Sequence, residues 1–524
     1  MSTDNPEALP TGWAISTLGE IGVWRGGSTP SKSNPDYWTD ADYPWVTPKD
    51  MKVGAISDSE DHLSEKALAE AGINLIPASS VLLVTRSGIL SRMLPVAVTG
   101  QPVTINQDLK AITPFHGIDA EYIGWFFRFS ATPILQSCSK PGTTVASINT
   151  EELKAVSIQI PLWNEQRRIV AKIEQLFSEL DNGVESLKAA RAQLKTYRQS
   201  LLKAAFEGRL TEEWRRENAD NLETADELLR RIQTERVARY DQRLEEWRTK
   251  IREWEVEGRA SQKPKKPSLV KGAEPFSDQD LSSLPELPQG WSWTPYSALC
   301  ESIRNGVSKA PQDGDGDRIL RISAVRPMAF DLEDYRRIEN SSGEFDGYFL
   351  KRGDIVFTRY NGSRNYVGVA AVFRSDKPYL YPDKLIRTRV EAELVSPDYL
   401  EAAVNTGEAR RFTESRIRTT AGQSGISGAD IKRIPVPLCS YEEQILIADL
   451  LNSGLSRIQD LERSIEAAYS RSESLRYSIL KRAFEGKLVP QDPDDEPAST
   501  LLKRIRAEQE EAPKPRQRRR KAQA

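Results

Sequence analysis

The sequence predicts an α+β (mixed α/β) protein: two globular domains separated by a pair of long antiparallel coiled-coil helices, with an internal pseudo-two-fold duplication. Three observations predict it. Leu9-Pro10-Thr11-Gly12-Trp13 recurs as Leu287-Pro288-Gln289-Gly290-Trp291. Lys203-Ala204-Ala205-Phe206-Glu207-Gly208-Arg209-Leu210 recurs as Lys481-Arg482-Ala483-Phe484-Glu485-Gly486-Lys487-Leu488, again 278 residues on (287 minus 9, 481 minus 203). Each copy runs in one order: a mixed globular stretch, a Pro, then a heptad-patterned helix stopped by Gly. Two copies of this length are a duplicated module rather than a solenoid, and they suit a two-fold partner or a two-part target.

Residues 1–163 form the first globular domain. Short β-type runs such as Ser80-Val81-Leu82-Leu83-Val84-Thr85 and Ser157-Ile158-Gln159-Ile160 alternate with turn clusters and with helical patches such as Glu121–Phe127. Residues 164–209 form the first spacer helix, entered at Asn164 as N-cap after Pro161. Val170, Ile173, Phe177, Leu180, Val184, Leu187, Leu194 and Leu201, with Arg191 and Arg198 filling two steps, mark a coiled-coil seam that Gly208 ends. Residues 210–286 are a charged helical segment and linker: Glu223 to Glu257 reads as helix, and Lys263-Pro264-Lys265-Lys266-Pro267 as linker. Within it, Leu228-Leu229-Arg230-Arg231-Ile232 resembles Leu501-Leu502-Lys503-Arg504-Ile505.

Residues 287–440 form the second globular domain. Residues 441–486 form the second spacer helix, where Ser440-Tyr441-Glu442-Glu443 has the form of a capping box. Its seam is Ile447, Leu451, Ile458, Leu461, Ile465, Leu475 and Ile479, with Gly454, Ala468 and Ser472 as small members and Gly486 as the stop. Residues 487–524 complete the chain as a C-terminal helix and basic tail. Each spacer helix is roughly 60 Å long at 1.5 Å per residue. A lone helix of that length is marginal in water, so the two seams are expected to pack on each other.

Composition narrows the function. The chain has 524 residues, 38% hydrophobic, and a net charge of −3. No apolar run reaches membrane-spanning length and the N-terminal stretch is polar, so neither a membrane anchor nor a signal peptide is expected. Three scattered cysteines and two histidines point to a reducing cytoplasm and leave little for zinc or histidine catalysis. The charge is uneven: residues 1–163 hold 11 basic against 17 acidic residues, while 287–440 hold 22 against 20, and 17 of those bases are Arg. Arg suits forked contacts to phosphates and guanine edges.

No catalytic motif is found. Asn34-Pro35-Asp36-Tyr37 and Ser396-Pro397-Asp398-Tyr399 place Asp where an amino-methyltransferase needs a second Pro, and read as turns. Glu485-Gly486-Lys487 lacks the Ser or Thr of a phosphate loop. A nuclease reading from Pro382-Asp383 and Glu152-Leu153-Lys154 joins pieces of different copies. Polar loops, by contrast, recur in both copies. Arg25–Lys32 matches Arg304–Lys309, Trp45–Asp50 matches Leu320–Arg326, Thr85–Gly88 matches Thr358–Arg364, and Lys140–Thr144 matches Arg418–Gly425. Their Arg, Asn, Gln, Ser and Thr side chains match base edges, and their Gly-rich backbones suit phosphates.

The plan resembles the specificity (S) subunit of type I restriction–modification enzymes, along nearly the whole chain. The two Leu-Pro-x-Gly-Trp openings carry the resemblance, with Gly26-Gly27-Ser28-Thr29-Pro30-Ser31, Tyr43–Met51, Pro161-Leu162 before Glu165-Gln166, and Pro437-Leu438 before Glu443-Gln444. Phe357–Ser363, Tyr381–Arg387, Gly422–Gly428 and Gly208–Arg215 are similar to the enteric K-type (IA) subgroup. The resemblance implies two target-recognition domains, each reading half of a bipartite, asymmetric site on double-stranded DNA. It implies two methyltransferase (M) and two restriction–translocase (R) subunits as partners, which supply S-adenosylmethionine, ATP and Mg, and no catalysis, cofactor or metal in this chain. Loop position and side-chain type nominate Thr85, Arg86, Thr143 and Thr144 as DNA contacts in the first domain. In the second they nominate Arg321, Arg359, Asn361, Arg364, Arg418 and Gln423. The competing readings are a coiled-coil adaptor with protein-binding globular ends and a self-sufficient modifying enzyme.

Overall fold

The computed structural model describes residues 9–140, 145–259, 263–267, 274–311, 315–340, 343–420 and 422–511. The chain forms two compact units, one drawn from Met1–Ala189 with Ile465–Ala524, the other from Ala190–Ser464. The units therefore cut across the linear segmentation. Each takes a globular domain, the first part of the long helix that follows it, and the last part of the other long helix.

In the first unit a five-stranded sheet runs in the order Gly22–Gly26, Leu109–Pro114, Val81–Val84, Val96–Thr99, Ala55–Ile56. Val81–Val84 is buried at every position, as an uninterrupted apolar run on a central strand requires. A three-stranded sheet of Asp61–Leu63, Tyr43–Val46 and Thr104–Ile105 lies in the same domain. Helix Ala120–Phe129 starts on Asp119, whose carboxylate accepts the N–H groups of Glu121 and Tyr122. It buries Tyr122, Ile123, Phe126 and Phe127. Phe484, from the end of the second long helix, stacks on Phe129 (5.3 Å) and lies against Tyr122 and Phe126 (5.3 and 5.7 Å).

The second unit repeats the plan with a four-stranded antiparallel sheet, Cys300–Asn305, Leu385–Val390, Ile355–Thr358, Ala370–Val372. A small three-stranded sheet joins Tyr360–Asn361, Gln423–Gly425 and Arg418–Thr420. In both domains the first strand pairs antiparallel with the last, Ala14–Thr17 with Ser157–Ile160 and Ser292–Pro295 with Pro435–Leu438. Entry and exit are thereby fixed side by side just before each long helix.

The long helices run Trp163–Phe206 and Tyr441–Phe484. The first starts one residue ahead of the expected Asn164 cap. In the first unit, Arg476 of the second helix lies over the Phe177 ring (4.9 Å) and pairs with Asp181 of the first. In the second unit, Leu201 approaches Gly454 so closely that a Cβ there would meet it at 2.6 Å. The early part of one helix thus meets the late part of the other, an antiparallel pairing in each unit. The seam is less continuous than the heptads suggest. Ile447, Leu451, Ile458 and Ile465 are buried, but Leu461 and Leu475 are 52% and 44% exposed.

Both helix entrances use one device. Trp13 Nε1 donates to Glu165 Oε2 (3.0 Å) and Trp291 Nε1 to Glu443 Oε2 (2.8 Å). Gln166 and Gln444 each accept a backbone N–H, from Asp119 (2.8 Å) and Ser396 (3.0 Å), at the start of the preceding amphipathic helix. The expected capping box is half realised. Ser440 Oγ accepts the Glu443 N–H (3.2 Å), but the Glu443 carboxylate turns to Trp291, Thr211 and Arg215 instead.

The repeated Leu-Leu fragments are anchors. Helix Ala225–Val256, begun by a Thr224–Glu227 capping box, buries Ala225, Leu228 and Ile232. Helix Ala498–Glu511 buries Ala498, Leu501, Leu502 and Ile505. The Ala225 N–H donates to Gly290 O and the Ala498 N–H to Gly12 O, both at 2.8 Å. Gly12 and Gly290 sit at φ 84° and 85°, a conformation that excludes a side chain at little cost only for Gly.

Candidate nucleic-acid interface

In both domains a central strand ends in a polar loop that is zipped to a second, later loop. In the first domain Val81–Val84 leads into Thr85 and Arg86, whose N–H groups both donate to Asp108 O (2.8 and 3.2 Å). Ile148 N–H donates to Thr85 O (2.8 Å), and Arg86 bridges Ser147. In the second domain Ile355–Thr358 leads into Arg359, Tyr360 and Asn361. Tyr360 and Asn361 pair with Gly425 and Ser424, and those two pair in turn with Arg418 and Thr419. The two arrangements are equivalent in backbone and different in side chains.

The three-stranded sheet brings Arg359, Asn361, Arg418 and Gln423 together. The Arg359 guanidinium lies over the Tyr360 ring (4.8 Å), and its Nε is buried with no partner among the described residues. Gly425 is required here, because a Cβ would come within 2.4 Å of that ring. Asn361 Oδ1 accepts the Ser363 N–H (2.9 Å) and so closes the turn carrying Arg364. Among the described residues Arg364 donates only to a backbone carbonyl, Glu414 O (3.0 Å), just before Arg418. Gln423 is exposed, on the strand beside Arg418.

Several arginines elsewhere in the domain are already compensated. Arg352, Arg374, Arg389, Arg410 and Arg411 are all paired with carboxylates. Among the described residues Arg359, Arg364 and Arg418 pair with none. Such uncompensated guanidinium groups on an exposed sheet suit a polyanion.

Three nominations change. Thr85 is 5% exposed with its hydroxyl committed to Asp108 O (3.2 Å), so it shapes the loop and does not face a ligand. Arg321 is not part of that sheet; it stands at the head of the turn Ile322–Ala324, with its Nε 3.7 Å from Asp334. Asn361 spends its side-chain oxygen on its own turn. Arg86 is exposed, and its side chain has no partner among the described residues. Thr143 and Thr144 lie outside the described residues. Side-chain type alone did not single out Tyr360, the platform under Arg359, or Arg326, which lies over Tyr366 at 4.6 Å. An aromatic directly after an Arg in a polar loop was the available signal.

Residues 10–188 match the family described as "Type I restriction modification DNA specificity domain". The chain is 27% identical over 514 residues to the type I restriction enzyme EcoKI specificity subunit of Escherichia coli K12, covering 95% of this chain and 96% of that protein. It is 41% identical over 168 residues to the EcoR124I/EcoR124II specificity subunit of Escherichia coli, covering 32% of this chain and 41% of that one. Its fold resembles the crystal structure of the HsdS subunit from Thermoanaerobacter tengcongensis, with a TM-score of 0.53 at 16% identity, over 93% of this chain and 100% of that one. Duplicated domains, paired helices and zipped polar loops agree with these likenesses, which tie residues 10–188 to the type I DNA specificity domain and make the chain as a whole similar to type I specificity subunits.

Proposed function

We propose that each globular domain reads one half of a bipartite, asymmetric DNA site, while the long helices hold both readers and carry methyltransferase subunits. The chain is a DNA-recognition subunit without catalysis of its own. The observation that carries the two-reader reading is the pairing of equivalent backbones with unlike side chains: Arg86 against Ser147 in one domain, the Arg359–Tyr360–Arg418 group in the other. Two copies of one reader with different contacts specify two different half-sites. Apolar side chains left exposed on the second helix, Leu461, Leu475 and Tyr477, supply surface for partner subunits.

On this reading two M and two R subunits complete the enzyme in the cytoplasm, and they bind S-adenosylmethionine, ATP and Mg. The full-length likeness to the EcoKI subunit supports a place beside the K-type subgroup. Among the described residues no helix is long and apolar enough to cross a membrane. The test is co-expression with a methyltransferase subunit and genome-wide mapping of methylated adenines. A bipartite motif is expected, with one half changing when residues 1–163 are exchanged for those of a relative. A stable complex that marks no motif would favour the adaptor reading.

A further inference from the structure

One face of the four-stranded sheet in the second domain carries two guanidinium groups directly opposite each other. Arg304 on Cys300–Asn305 and Arg387 on Leu385–Val390 are register partners, a position where like charges repel. Arg387 is 6% exposed, donates to Ser302 Oγ (3.2 Å) and leaves its Nε–H without a partner among the described residues. Burial, with Arg389 and Arg304 nearby, pulls its pKa below the usual arginine value. Asp354, just before the neighbouring strand, is committed in a fork to Arg389 (2.6 and 2.7 Å). Arg304 is exposed, held face-on against the Tyr348 ring (3.6 Å) and donating to Gly347 O (2.7 Å). Neither Arg304 nor Arg387 has a carboxylate partner among the described residues. A buried charge without a counterion is costly unless something outside the domain supplies one.

The pair also lies where DNA is expected. The loop after Arg304 is tied to the strand carrying Arg387 and to the segment leading into it: Gly306 N–H donates to Leu385 O (3.2 Å) and Val307 N–H to Tyr381 O (2.8 Å). Arg359 N–H donates to Lys384 O (2.8 Å), so the same strand runs into the Arg359 cluster. We infer that Arg304, backed by the buried Arg387, binds a phosphate, namely a backbone phosphodiester of the duplex read by the second domain. This rests on the DNA-recognition reading above. Arg304 supplies the fork at the surface. Arg387 raises the positive potential behind it and helps hold the strand on which it sits.

The test uses the complex with methyltransferase subunits and measures duplex affinity across potassium chloride concentrations, on one duplex containing the methylated motif and one without it. In Arg304→Gln the slope of log affinity against log salt is expected to fall by about 0.9, the value of one phosphate contact. Both duplexes should weaken by the same factor, with the methylation motif unchanged. Arg387→Gln should move the slope in the same direction; should it fail to fold, Arg304→Gln decides alone. Arg352→Gln, whose guanidinium pairs with Asp376, should leave the slope as it is. An unchanged slope in Arg304→Gln overturns the assignment, and a loss confined to the motif-bearing duplex overturns it in favour of base reading. Inorganic phosphate raising the wild-type melting temperature but not that of Arg304→Gln, with an unchanged DNA slope, overturns it in favour of a free-anion site. No duplex binding by the wild-type complex sinks the DNA reading itself, and this site with it.

Discussion

Glu165 and Glu443 occupy equivalent positions, 278 residues apart, and both accept a tryptophan N–H, yet replacing them with Ala should have unequal consequences. Glu443 is 1% exposed and serves three donors: Trp291 Nε1 (2.8 Å), Thr211 Oγ1 (2.6 Å) and Arg215 Nε (3.1 Å). Glu443→Ala abandons two buried donors, at about 1–3 kcal/mol each, while Arg215 stays partly solvated and keeps its bond to Gly208 O. A loss of about 4 kcal/mol is expected. Among the described residues Glu165 serves only Trp13 (3.0 Å), Arg168 turning instead to Asp495 (2.8 Å), and its second oxygen is buried without a partner. Deleting it removes one bond and also an unsatisfied buried carboxylate oxygen, so about 1 kcal/mol is expected. With two compact units a single unfolding midpoint is ill defined. Hydrogen exchange under increasing urea, read on peptides from each unit, gives the two losses separately. Equal losses, or a larger one for Glu165→Ala, would refute the reasoning.

The remaining predictions probe acid response, recognition and thiol burial. Burial raises the Glu165 carboxyl above the ordinary glutamate value, so the folded state holds its proton longer than the unfolded chain. Stability of the first unit should therefore fall as pH rises from about 4.3 through the raised value, and Glu165→Gln should abolish that fall, as followed by exchange or melting in the same buffers. Arg359→Ala should cost the complex about 1–3 kcal/mol of DNA affinity and relax one base position if the fork reads guanine; methylation mapping that finds the motif intact and affinity unmoved would remove Arg359 from the interface. Cys138, Cys300 and Cys439 are all buried, and burial pushes the Cys300 thiol up to about 12. Ellman's reagent should find no thiol in the native chain and three in denaturant.

The long helices were legible because a heptad pattern is a local signal that survives without knowing what it packs against. The Pro-Leu…Glu-Gln strings likewise put Glu165 and Glu443 at the two helix entrances before any contact was known. Their roles were not legible. Glu443 looks like a helix cap by spacing, but Trp291, Thr211 and Arg215 compete for its carboxylate from 152, 232 and 228 residues away. Leu461 and Leu475 fit the heptad and still face outward, since periodicity fixes a stripe and not what covers it. In the candidate site, residue type picked out Arg359, Arg418 and Gln423, which strand pairing does bring together. It misjudged Thr85, because whether a loop hydroxyl points outward or back to Asp108 O depends on a partner strand that sequence does not display.

The way the units are assembled has a consequence for how the chain is made. Ala190–Ser464 is one uninterrupted stretch, and every partner it needs has left the ribosome once residue 464 has emerged. The other unit is stitched from both ends: Ala498 N–H reaches back to Gly12 O, Arg168 waits for Asp495, and Phe129 waits for Phe484. At roughly 5–20 residues per second, the first domain spends on the order of 20 seconds to a little over a minute with that aromatic face uncovered. The domain translated first is the last to close, and during synthesis it is the one most in need of a chaperone.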